Sequence, residues 1–177
     1  MAILGIDKIK ELNLVDNLSQ REIENPEGCG IDLRVGEIYE MSEETGFLHI
    51  ETRKSPSYNL IAKYKQGESK KVKLEPGKVY RVKTIETVNL PLNVFARVYP
   101  RGNLFAASIA VLGQKADPGY KGNFIFTFVN LGKNNFEIEL GARIAMVIFH
   151  EVKGKTSAYR GQWQGGRVFI RKEEEQV

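Results

Sequence analysis

Residues 114–130 read QKADPGYKGNFIFTFVN, and this stretch decides the fold. Its second half alternates Phe124, Phe126 and Phe128 on one face with Ile125, Thr127 and Val129 on the other, the period of two expected of a strand with one face on a core. Its first half, Asp117-Pro118-Gly119, is a tight turn that holds one carboxylate beside the strand. Three phenylalanines on one face need further strands to cover them.

Working outward, the neighbouring segments supply those strands. GIDLRVGEIYEM (30–41) alternates, EPGKVYRVKTIETVNLP (75–91) reads as a turn and then a strand, and NVFARVYP (93–100) alternates up to Pro100. After the opening stretch come FEIEL (136–140) and RIAMVIFHEV (143–152), separated by Gly and Asn turns. Ile6, Ile9, Leu12 and Val15 stand at helical intervals, which predicts a short amphipathic helix over about residues 6 to 13; no later segment has that pattern. Short strands at regular spacing between turn residues predict an all-β barrel or jelly roll. Residues 49–77 read as a variable excursion with one or two strands, and the tail RKEEEQV (171–177) as a frayed end without function.

With 177 residues and 42% hydrophobic content, the chain can bury one core, so a single domain over residues 1–177 is expected. One cysteine, Cys29, and two histidines, His49 and His150, cannot make a disulfide framework or an ordinary Cys/His zinc site. No apolar run approaches the roughly 18 residues of a membrane span, and the first residues lack the pattern of a signal peptide. These features predict a cytoplasmic protein with no membrane partner. The net charge of +4 is mild and its lysines and arginines are scattered, which argues against a nucleic-acid partner and suits an anionic ligand.

Four segments combine glycine with acids, arginines or aromatics beyond the needs of strands: GCGIDLRVG (28–36), YPRGNL (99–104), GQKADPGYKG (113–122) and YRGQWQGG (159–166). Glycine allows close backbone approach to a ligand, and an arginine beside glycine and asparagine at a strand end can reach phosphate oxygens with a fork of donors. Each segment alone is equally compatible with a plain β-turn.

In order, the four segments resemble the motifs of the dUTPase and dCTP deaminase superfamily. GIDLRVG is similar to its first motif in the deaminase-branch form, YPRGNL to its second, KADPGYKG (115–122) to its third and YRGQWQGG to its C-terminal closing motif. Between them, VNLGKNNFEIELGARIAMVIF (129–149) resembles the stretch that carries an Asn-x-Gly turn and a Gly-x-Arg-Ile-Ala pattern. The resemblance implies a distorted jelly roll of the β-clip type with a short N-terminal helix. It implies a homotrimer with sites at subunit boundaries, a deoxynucleoside triphosphate substrate with Mg2+, and residues 155–177 as a closing arm. Magnesium held chiefly by phosphates and water agrees with the lack of a protein-only metal cage.

The superfamily runs two reactions. A dUTPase uses an Asp to activate water at the α-phosphorus, and a dCTP deaminase uses a Glu on the following strand to move protons at the base. The position matching that Glu is Thr127, and the position matching its companion Arg is Ala106; a threonine hydroxyl is no base near neutral pH without help. The pattern of a zinc deaminase is also missing. The resemblance therefore implies hydrolysis of dUTP to dUMP and pyrophosphate, with Asp117 as the group that deprotonates water. It assigns Asp32 to magnesium-bound water or to positioning the site, and Arg101, Gly102 and Asn103 to the phosphates. It gives Gln114 the uracil edge, Tyr120 the deoxyribose, Trp163 a stack on the base, and Arg160 and Gln164 contacts near the phosphates. Two departures stand out: Gly102 occupies the usual Ser position, and Gly119 the position of an acid in hydrolases. Deamination with a different base, alone or combined with hydrolysis, and nucleotide binding without turnover are the alternatives.

Overall fold

A computed structural model describes residues 2–113 and 115–176. The strands are β1 (Val15–Asp16), β2 (Gly30–Met41), β3 (Phe47–Leu48), β4 (Thr52–Lys54), β5 (Tyr58–Lys63), β6 (Lys71–Leu74) and β7 (Val79–Asn89). They continue as β8 (Val94–Pro100), β9 (Ile109–Leu112), β10 (Lys115–Ala116), β11 (Lys121–Asn130), β12 (Phe136–Glu139), β13 (Arg143–Glu151) and β14 (Glu174–Glu175). Three short helices, α1 (Ile6–Glu11), α2 (Gln20–Glu24) and α3 (Gly102–Ala106), complete the description. The architecture is an all-β jelly roll, as the alternation of the strands predicts.

The main sheet runs β10-β8-β13-β2-β7-β11-β9, with β5 added on β2 and β1 on β7, and all its pairs are antiparallel. Strand β2 turns the corner. Its first half, Gly30 to Arg34, pairs with β13, and its second half, from Val35, pairs with β7 and β5 across an irregularity between Val35 and Glu37. Both faces of its first half are buried for this reason, with Ile31, Leu33 and Val35 fully enclosed. The opening strand behaves as its alternation predicts. Phe124, Phe126 and Phe128 are buried in the core with Val147 and Phe149, while Ile125, Thr127 and Val129 lie on the half-exposed face.

Three local expectations need correction. Residues 49–77 hold three strands, β4, β5 and β6, because β6 closes a small sheet with β12. Helices α2 and α3 are five residues each, too short for a hydrophobic period to reveal. Ser19 does carry a start signal for α2, since its hydroxyl accepts from the Glu22 N–H at 3.3 Å. The tail is not frayed: β14 pairs with β4, the Gln176 side chain donates to the Ile50 carbonyl at 3.1 Å, and Ile170 is buried. No helix among the described residues is long and apolar enough to cross a membrane.

Candidate active site

The turn before β11 opens onto a pocket of about 420 Å³. Its floor is the half-exposed face of β11, which presents Ile125 and Thr127, the latter opposite both Leu112 of β9 and Arg81 of β7. Its mouth is the Asp117 turn, and its cover is the segment carrying Tyr159, Trp163 and Arg167. Among the described residues, Asp117 is the one carboxylate in the lining. Lys115, two residues before it and so on the same side of an extended chain, donates to both of its oxygens at 2.7 and 2.8 Å.

Tyr120 is buried behind Asp117, and its hydroxyl donates to the Asn123 carbonyl at 2.6 Å. Burial, with Tyr159 beside it, pushes its phenol up to about 12, so it stays a neutral wall of the pocket. Tyr159 meets Tyr120 edge to face at 5.5 Å between centroids.

The segment from Tyr159 to Gly166 is latched onto the turn by backbone. The Tyr159 N–H donates to the Pro118 carbonyl at 2.7 Å and the Gly165 N–H to the Lys121 carbonyl at 2.8 Å. Gln164 makes a two-way contact: its amide donates to the Gly119 carbonyl at 3.1 Å and its oxygen accepts from the Lys121 N–H at 2.9 Å. Two glycines make this approach possible. A Cβ on Gly119 would stand 2.9 Å from that of Ala158, and one on Gly122 would stand 2.5 Å from the Gly165 carbonyl carbon. The glycine that replaces an acid at position 119 is thus where the arm packs. For Gly102 the structure offers no such reason, since the space around it is open.

A second cluster lies apart from the pocket. Asp32, only 2% exposed, accepts from Arg101 at 2.6 and 2.8 Å, from Arg143 at 2.7 Å and from Arg21 at 3.4 Å. The buried Glu22 also pairs with Arg21 and accepts from the Asp32 N–H. The three guanidiniums remain about a third exposed.

The predicted site residues therefore fall into separate groups. Asp117, Tyr120 and Trp163 line one pocket. Arg101 belongs to the arginine cluster, with Gly102 and Asn103 exposed beside it at the start of α3. Gln164 holds the arm to the turn and points at backbone, not toward the pocket, and Arg160 is exposed outside the lining. Gln114 lies outside the described residues. Asp32 is engaged by guanidiniums, which suits positioning of the arginines rather than a contact to metal-bound water. Sequence reasoning missed Arg81, Lys115, Tyr159, Arg167, Arg21 and Arg143. Tyr159 and Arg143 stand inside quoted motifs and Lys115 shares the strand face of Asp117, whereas Arg81 and Arg21 carry no local signal.

The profile of the dCTP deaminase-like family matches residues 4–152, the span that contains the turn, the pocket floor and the arginine cluster. The chain belongs to that family. It is 31% identical over 163 residues to the deoxyuridine 5'-triphosphate nucleotidohydrolase of Methanocaldococcus jannaschii, covering 92% of this chain and 99% of that protein. It is 33% identical over 138 residues to a probable deoxyuridine 5'-triphosphate nucleotidohydrolase of Aeropyrum pernix, covering 77% of this chain and 83% of the relative. Among solved structures, the 2'-deoxycytidine 5'-triphosphate deaminase of Agrobacterium tumefaciens shares the fold at a TM-score of 0.62 and 18% identity, over 83% of this chain and 46% of that one. A dUTPase from phage phi11 of S. aureus, whose structure includes a structural Mg(II) ion, matches at 0.50 and 16% identity, over 82% of this chain and 94% of that one.

Proposed function

We propose that the protein is a cytoplasmic dUTP diphosphatase that releases dUMP and pyrophosphate, acting as a homotrimer. One observation carries this reading: Asp117 is the single acid among the pocket's described residues, and Thr127 stands on the strand face where base chemistry would need a second. Relatives named as deoxyuridine triphosphate nucleotidohydrolases along most of the chain support it.

Asp117 accepts a proton from a water aimed at the α-phosphorus, and the bond that breaks is that between the α-phosphorus and the oxygen bridging to the β-phosphorus. Lys115 holds the carboxylate in place beforehand. A lysine on a flexible stem can turn to an arriving phosphate and free an oxygen lone pair for the water. Tyr120 packs against the sugar, and Trp163 covers the base and excludes bulk water. Among the described residues no three His, Cys, Asp or Glu groups could hold a metal ion. Magnesium would enter as part of the substrate, the Mg2+ complex of the triphosphate, whose charge it would partly neutralise.

The exposed guanidinium edges of Arg101 and Arg143 suit a polyphosphate, yet they do not line the pocket of their own chain. A trimer resolves the separation by bringing the arginine cluster of one copy to the pocket of the next. Phe105, next to the cluster and 61% exposed, and Leu112, at the pocket rim and 57% exposed, are apolar surfaces such an interface would cover.

The test is direct. Incubated with Mg2+ and each deoxynucleoside triphosphate, the protein should convert dUTP to dUMP and pyrophosphate and form no uracil nucleotide from dCTP. Uracil products from dCTP would overturn the assignment.

A further inference from the structure

Among its described residues the pocket carries three cations besides its acid, and two of them are matched. Lys115 pairs with Asp117, and Arg167 with Glu174. The third, Arg81, has ring faces instead: its guanidinium carbon lies 5.4 Å from the centroid of Tyr58 and 5.6 Å from that of Trp163. Its Nε is buried and has no hydrogen-bond partner. A buried donor without an acceptor is costly, and the aromatic contacts hold the guanidinium in place without using its N–H groups. Arg81 lines the pocket, so an acceptor on a ligand seated there meets the edge of its guanidinium rather than the enclosed Nε.

The surroundings decide which acceptor. Leu112, Phe124, Ile125, Tyr120, Tyr159 and Trp163 make much of the lining apolar, and Asp117 is the only carboxylate among its described residues. An apolar recess suits a neutral ring better than a phosphate. Thr127, directly opposite Arg81 across the β7–β11 pair, has a hydroxyl that can donate or accept and so does not discriminate. Arginine can only donate. Uracil has carbonyl acceptors at both the 2- and 4-positions; cytosine replaces the 4-carbonyl with an amino donor.

We propose that Arg81 reads the 4-carbonyl of the pyrimidine and rejects cytosine by setting donor against donor. The inference rests on the dUTP reading above and names the residue responsible for its base specificity.

The experiment compares dissociation constants for dUMP and dCMP, and kcat/KM for dUTP and dCTP, in the wild-type protein, Arg81→Gln and Arg81→Lys. Glutamine can accept as well as donate. The preference for uracil over cytosine should therefore fall by about ten- to a hundredfold in Arg81→Gln, as expected when a buried hydrogen-bonding site loses its match, and less in Arg81→Lys. Equal weakening of dUMP and dCMP would assign Arg81 to the phosphate or to support of the arm and would overturn the proposal. If neither variant folds, the wild-type protein decides with a deoxynucleotide of pyrimidin-2-one, which lacks the 4-substituent. It should bind at least about tenfold more weakly than dUMP, and equal binding would overturn the proposal. A wild-type protein that prefers dUMP to dCMP yet hydrolyses no dUTP would sink the activity while leaving the role of Arg81 standing.

Discussion

Asp117 and Tyr120 sit three residues apart on one turn, and their environments assign them different work. Asp117 is partly exposed and ion-paired, free to exchange Lys115 for water. Asp117→Asn should cut kcat for dUTP by about a hundredfold to ten-thousandfold, the usual worth of a positioned base, while dUMP binding changes little; calorimetry and steady-state kinetics separate the two. Tyr120 is buried as a neutral phenol. Its folded value, about 12, lies above the ordinary 10.0, so the folded state retains the proton longer than the unfolded one. The associated stability is fully present below pH 10 and is lost as pH rises from 10 to 12. Tyr120→Phe should flatten that part of the alkaline fall in melting temperature, which a pH series of thermal scans would reveal.

The C-terminal arm is fixed at both ends, by Tyr159 and Gln164 on the turn and by β14 on β4. Between them the chain passes over Gly122, whose backbone has φ of +146°. Any side chain there is strained and collides with Gly165. Gly122→Ala should unseat the arm without disturbing the β7–β11 core. We expect a higher KM for dUTP, a changed Trp163 fluorescence and faster amide exchange over residues 159–166, with β11 still protected. Unchanged exchange in the arm would mean that its anchors do not depend on this contact.

Assembly decides whether the two clusters form one site. If the arginines of one copy serve the pocket of another, Arg101→Ala and Asp117→Asn should each be inactive alone. Refolded together, they should regain roughly a quarter of the wild-type rate, because closed symmetry pairs an intact pocket with an intact arginine cluster at that frequency. No recovery in mixed trimers would place both groups in one chain's site. The same experiment checks the mass, expected near three times 20.0 kDa.

How much of this was legible in the sequence depended on how local each cause is. Strand β11 could be read from its phenylalanines, and the turn from Asp-Pro-Gly, because alternation and turn chemistry act over a few neighbouring residues. The same holds for Asp117, Tyr120 and Trp163, which stand in ordered motifs, and for α1, whose apolar spacing marks it. Tertiary structure decided the rest. Arg81 joins the pocket only because β7 pairs with β11 in a register that sets it opposite Thr127. Asp32 reads like any strand-start acid until β13 and the chain after β8 bring Arg143 and Arg101 against it. The tail looks disordered because its charges cannot build a core, and it is ordered by pairing with a strand more than a hundred residues earlier. Local patterns determined the all-β class and the acid. Only contacts between residues distant in the chain brought Arg81 and Arg167 into the pocket of that acid and Arg101 and Arg143 onto Asp32, since no local pattern records a partner supplied by another strand.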